Sequence, residues 1–138
     1  MATDLPGAAL DTGPGAATAP HAVYQSWLDR EVLAFQACGA CGNAVFPPRS
    51  RCPHCGGPEL GWRRSSGRAV VYSATTIEPR GGEPYCVALV DLAEGYRMMT
   101  DIVGVPASDV RIGDRVTLRF DQSDDTVIPV FGPDEEAR

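Results

Sequence analysis

The sequence predicts a mostly β chain: an N-terminal α-helix, a small metal-organised ribbon, then a five-stranded barrel. Three observations predict it. Four cysteines form two Cys-x-x-Cys pairs ten residues apart, Cys38/Cys41 and Cys52/Cys55. An aromatic stripe at helical spacing stands just before them. From Ser66 onward, apolar and β-branched runs alternate with Gly, Pro and Asp turns.

The chain has 138 residues, room for one ordinary domain or two very small ones. Its formal net charge is −6, and all twelve basic residues are arginine. That balance argues against nucleic acid, whose binding rests on counterion release by many basic groups. No apolar run reaches the roughly 18 residues a membrane helix needs. The N-terminus lacks a basic segment followed by an apolar core, so no signal peptide is expected and the cytoplasm is the default location.

Residues 1–20 mix Gly, Ala, Pro and Thr without period and read as a disordered tail. Over 21–36 the pattern becomes an amphipathic helix. Tyr24, Trp27, Leu28, Val32 and Phe35 share one face, with Asp29, Arg30 and Glu31 on the other. This helix either packs on its own domain or docks on another subunit through residues such as Tyr24 and Trp27.

Residues 37–65 read as a rubredoxin-like ribbon. Each knuckle turns two thiolates toward one point, and Gly42 and Gly56 permit the tight turn that follows. Cys38, Cys41, Cys52 and Cys55 together suit one tetrahedral Zn²⁺. All four positions come from protein, so the site is closed and structural; a catalytic zinc needs an open position. Two disulfides are the alternative, disfavoured in a reducing compartment, and iron could occupy the same cage. So short a ribbon buries little core, and metal takes its place. Phe46-Pro47-Pro48-Arg49 is a stiff extended run, Leu60 and Trp62 are expected to pack back on the ribbon, and His54 reads as a solvent-facing turn residue.

Residues 66–132 read as the barrel. Strands are expected at 67–77, 85–90, 96–103, 115–120 and 126–131, with one helical turn in the connection 106–113. The second strand looks apolar on both faces, so both are expected to be covered, and the fourth alternates, with Val116, Leu118 and Phe120 inward. Five strands with a longer connection after the third fit an OB-fold, though an SH3-like barrel also accepts five. Residues 133–138 form an acidic tail.

No catalytic set emerges. Cys86, the one cysteine outside the metal site, lies in an apolar run without a basic neighbour and reads as a buried inert thiol. His21 and His54 lack a carboxylate at useful spacing. Charge is uneven: between residues 38 and 80, Arg49, Arg51, Arg63, Arg64, Arg68 and Arg80 face only Glu59 and Glu78. Residues 81–138 carry five arginines against twelve acids. Arg63, Arg64 and Arg68 are either solvated surface or contacts to an acidic partner or the phosphates of coenzyme A.

The ordered series of motifs resembles a known family. The helix leads into Cys38-x-x-Cys41, Phe46-Pro47-Pro48-Arg49 and Cys52-x-x-Cys55. Then come Trp62, Ser66-Gly67, Tyr72-Ser73-Ala74-Thr75-Thr76, and Pro84-Tyr85-Cys86-Val87. Glu94-Gly95-Tyr96-Arg97, Ile112-Gly113-Asp114 and Pro129-Val130-Phe131 complete it. This is similar to the DUF35 zinc-ribbon/OB-fold proteins over about residues 22–132. The resemblance implies an accessory subunit of a thiolase-like or aldolase enzyme, and in some cases of an acyl-CoA hydratase, that helps shape or channel its acyl-CoA site. It implies zinc on Cys38, Cys41, Cys52 and Cys55, and packing or docking roles elsewhere. Tyr24, Trp27, Arg49, Arg63, Arg64 and Arg68 are the candidate contacts to a partner or to coenzyme A. A single-stranded nucleic-acid module and a stand-alone acyl-CoA binder are the competing readings; the first needs a basic, aromatic groove on the barrel.

Overall fold

The computed structural model describes residues 9–10 and 19–134. Most of the expected N-terminal tail and residues 135–138 of the acidic tail lie outside the described residues. Within the tail, β1 (Ala9–Leu10) is nevertheless a strand, paired with Arg63 and Trp62.

Helix α1 (Pro20–Leu28) opens on a proline, whose missing N–H costs nothing at the first helical position. It is shorter than the expected 21–36. The chain reverses after Leu28, where the Arg30 and Val32 N–H groups both donate to the Trp27 carbonyl and Glu31 takes a φ of 58°. Residues 34–36, expected as the end of the helix, belong instead to strand β2 (Ala34–Cys38). Val32 and Phe35 fit a helical face by spacing, but β2 is buried on both sides, so it lacks the alternation that marks a strand. Its partners decide the matter: β3 (Ala44–Val45) on one side and β4 (Leu60–Arg64) on the other, giving the sheet order β1-β4-β2-β3.

The barrel follows: β5 (Arg68–Ile77), β6 (Tyr85–Leu92), β7 (Arg97–Ile102), β8 (Arg115–Ser123) and β9 (Thr126–Pro133). A 3-10 turn at Ala107–Asp109 sits in the connection between β7 and β8. The strands close in the order β5-β6-β7-β9-β8, with β8 pairing back onto β5. The third and fifth strands run parallel, joined at Ile102 and Phe131. This Greek-key order is the OB-fold. The expectation that β6 is covered on both faces needs correcting. Cys86, Ala88, Val90 and Leu92 are buried, while Tyr85 is exposed and Val87 and Leu89 are half-buried. Its outer face is apolar without being covered. Leu118 and Phe120 are likewise only half-buried, at the margin of the core.

One apolar cluster runs through both parts. It joins Val23, Tyr24, Trp27 and Leu28 of α1 to Leu33 and Phe35 of the ribbon sheet and to Val71, Val90 and Phe131 of the barrel. Tyr24 and Trp27 are 8% and 7% exposed, so the aromatic stripe covers this chain's own core instead of offering a docking face. Trp62 joins the same cluster, while Leu60 packs on the knuckles. Among the described residues no helix is long and apolar enough to cross a membrane.

Candidate metal centre

The two knuckles are built alike. The Gly42 N–H donates to the Cys38 carbonyl at 2.9 Å, and the Gly56 N–H donates to the Cys52 carbonyl at 2.8 Å. Both glycines sit near φ +80°, the left-handed region that closes such a turn without a Cβ clash. The Cys38 N–H donates to the Asn43 carbonyl and the Cys52 N–H to the Gly57 carbonyl, pinning each loop at its neck. The result places Sγ of Cys38 and Cys55 3.6 Å apart, and those of Cys41 and Cys52 at the same distance. All four sulfurs lie within 4.8 Å of one another.

That spacing excludes disulfides. A disulfide needs about 2.05 Å, and all five cysteines are free. A tetrahedral site with metal–sulfur bonds near 2.3 Å sets its sulfurs about 3.8 Å apart. The cluster therefore fits one tetrahedral divalent metal with no position left for substrate.

The electrostatics point the same way. The Asn43 backbone N–H, helped by its side-chain amide 3.3 Å away, holds the Cys41 thiol down at about 6. The Gly57 N–H also favours the Cys55 thiolate, but the adjoining Cys38 sulfur, burial and the other two sulfurs outweigh it and push this thiol up to about 12. Four sulfurs so close cannot all ionise without a cation, and metal binding displaces the remaining protons. The His54 N–H donates to the Cys52 sulfur, while its ring is exposed on the turn.

Behind the cluster lies a joint that ties ribbon to barrel. The Tyr96 ring lies between Phe35 (4.9 Å, 30°) and Phe46 (5.0 Å, 25°), and Tyr24 meets Phe46 edge-on at 5.6 Å. Helix, ribbon and barrel each contribute a ring. Burial pushes the Tyr24 hydroxyl up to about 12 and raises that of Tyr96 further. Glu94, 2% exposed, fastens the linker beside it. Its carboxylate accepts from the Ser65 hydroxyl at 2.6 Å and the Ser66 N–H at 2.9 Å, and the Gly67 N–H donates to the Ser65 hydroxyl. Gln36 does similar work within the ribbon, donating to the Arg49 carbonyl and accepting from the Arg49 N–H. Sequence reasoning gave neither residue a role. Glu94 lay within a quoted motif, and Gln36 sat on a stretch read as helix; long-range pairing is what buries both.

The remaining candidates do not converge. Arg49 and Arg64 are exposed, and Arg63 is half-buried with partners of its own. Arg68 lines a hollow of about 250 Å³ with Arg115, but Asp91 and Asp134 share it and offset the positive charge. Cys86 is 1% exposed, and burial pushes its thiol up, against nucleophilic use.

Comparison with known proteins agrees with this architecture. The family described as "ChsH2, rubredoxin-like zinc ribbon domain" matches residues 28–61, and "ChsH2, C-terminal OB-fold domain" matches residues 62–121. A "DUF35 domain-containing scaffold protein" of Methanocaldococcus jannaschii is 34% identical over 119 residues, covering 77% of this chain and 84% of that one. The chain belongs to the DUF35 family. A "probable enoyl-CoA hydratase alpha subunit" of Thermomonospora curvata is 37% identical over 106 residues, 73% of this chain. The chain spans only a third of that relative's length. The "benzoylsuccinyl-CoA thiolase subunit BbsA" of Thauera aromatica is 36% identical over 84 residues, 59% of this chain and 58% of that one. Among solved structures, the "Ltp2-ChsH2(DUF35) aldolase" superposes with a TM-score of 0.74 at 32% identity, covering 86% of this chain and 97% of the other.

Proposed function

We propose that this DUF35 chain is a non-catalytic accessory subunit of a thiolase-superfamily or aldolase enzyme acting on acyl-CoA, and that it helps form or channel the acyl-CoA site. An acyl-CoA hydratase is a further partner of the same assembly. The observation that carries the reading is the metal centre. Its four coordination positions are all filled by cysteine, so the ion holds a shape and performs no chemistry. Relatives named as a scaffold, a thiolase subunit and an aldolase complex support the same role.

In this reading Cys38, Cys41, Cys52 and Cys55 hold one structural Zn²⁺. The joint of Tyr96, Phe35 and Glu94 then keeps ribbon and barrel at a set angle for the larger enzyme. Arg49, Arg63, Arg64 and Arg68, near the linker and ribbon, are contacts to the partner or to the coenzyme A phosphates. Five free thiols suit the reducing cytoplasm.

The test is co-expression with a thiolase-superfamily or aldolase subunit from the same genome, followed by size exclusion. A single co-eluting complex that carries the activity, with the catalytic subunit alone much less active, is the expected result. Two separate peaks at micromolar concentration would refute the reading.

A further inference from the structure

The outer surface of the barrel is not uniformly polar. Among the large apolar side chains left exposed in the described residues, Val70, Tyr72, Tyr85 and Met99 share the outer face of β5, β6 and β7. Only Ile112 lies elsewhere, in the connection before β8. Met99, 68% exposed, stands directly across from Leu89 in the β6–β7 register.

This face runs into an open seam. β7 and β9 share a single backbone bridge, Ile102 with Phe131, and before it the Thr100 hydroxyl donates to the Pro129 carbonyl at 3.3 Å. The hollow between them measures about 600 Å³ and is lined by Tyr85, Val87, Met99, Asp101, Ile128 and Val130. The edge of β9 at the seam carries Pro129, which has no N–H to leave unpaired, as befits an uncovered strand edge.

Across β9, Arg119 pairs in register with Val130. Its guanidinium lies flat over two glycines. A Cβ on Gly104 would come within 2.6 Å of Nη1, and one on Gly132 within 2.7 Å of Nε. The backbone is thus shaped to receive this one side chain. Yet the Arg119 side chain makes no hydrogen bond or ion pair with any described residue. A guanidinium always carries its charge, and its fork matches a carboxylate. Held in place beforehand, it loses little rotamer freedom on meeting one.

We propose that this seam face is where the catalytic subunit docks, through an extended apolar segment that covers Met99 and brings a carboxylate to Arg119. The inference rests on the accessory-subunit reading above and specifies its surface. A second copy of this chain fits less well, because residues 81–138, which supply all of this face except Val70 and Tyr72, carry twelve acids against five arginines and would repel themselves. Coenzyme A phosphates suit the apolar lining less well than a polypeptide.

The test measures affinity between the co-expressed catalytic subunit and full-length variants of this chain, each first checked for metal content and melting temperature. Met99→Asp is expected to weaken binding at least about 10-fold. Arg119→Gln is expected to weaken it about 10-fold and to flatten its salt dependence. Ile112→Asp, equally exposed but off the face, is expected to stay within about twofold. Wild-type binding that survives Met99→Asp, or that Ile112→Asp abolishes equally, overturns the face while leaving the accessory role standing. Loss at Met99→Asp with none at Arg119→Gln overturns the carboxylate contact. A dimer of the isolated chain that Met99→Asp dissolves would assign the face to a second copy, and competition by free coenzyme A would assign it to the coenzyme; either overturns the proposal. No complex with the wild-type chain overturns both readings.

Discussion

Ribbon and barrel lie side by side and are held together by opposite means. The knuckle end of the ribbon has an interior of only Cys38, Val45 and Cys52, with Leu60 packed against them. The barrel end shares a cluster that includes Val71, Val90, Ile102 and Phe131, with α1 laid over it. Burying apolar area stabilises by roughly 25 cal/mol per Å², so the barrel can rely on it and the knuckles cannot. In the knuckles the metal does that work, and its binding free energy is folding free energy. The comparison teaches that one chain can carry two stability mechanisms, with the knuckles held by metal and the rest of the ribbon sharing the barrel's apolar cluster beside Glu94 and the ring stack.

The most severe way to break this contrast is to take away the metal. Cys52→Ala, or a strong chelator, is expected to release the ion and free the amides of 38–57 to exchange while those of β5–β9 stay protected. Thiol labelling sharpens the same point. Of the five free cysteines, four should react after chelation, and Cys86 only when the barrel is denatured. If chelation unfolds the barrel as well, the two mechanisms are one.

Next in size is the mirror experiment. Phe131→Ala, at a fully buried position, should cost about 3–5 kcal/mol in a denaturant melt. Metal content measured below the transition should stay at one per chain. Smaller still is the coupling itself. Glu94→Ala strands the Ser65 hydroxyl and the Ser66 N–H, and should cost about 2 kcal/mol. It should also broaden the signals of 65–67 and 96 by NMR, with both ends still folded; Glu94→Gln should be milder. Smallest is Arg97→Ala. It removes an exposed pair with Asp91 and a cation placed over the Tyr72 ring, and should leave the melting temperature within error.

What could be read in advance followed the range of the forces involved. The metal site was legible because each knuckle closes within a few residues, and only four thiolates at that spacing satisfy one ion. The barrel strands were legible because Gly, Pro and Asp mark their ends. The end of α1 was not. Val32 and Phe35 suit a helical stripe equally well, and what makes 34–38 a strand is β4, more than twenty residues further on. The outer face of β6 misled for a related reason. Apolar residues on both sides of a strand look buried from sequence alone, whether or not anything covers the second side.

By itself, then, the sequence determined the local chemistry: the closed four-cysteine site and the strand-rich second half. Tertiary structure alone decided what the surface became. It turned Tyr24 and Trp27 inward, buried Glu94 at the joint, and laid Arg119 on two glycines beside an open seam. The physical reason is that a side chain's burial depends on which strands lie beside it, and those are chosen by hydrogen-bond ladders between segments far apart in the chain.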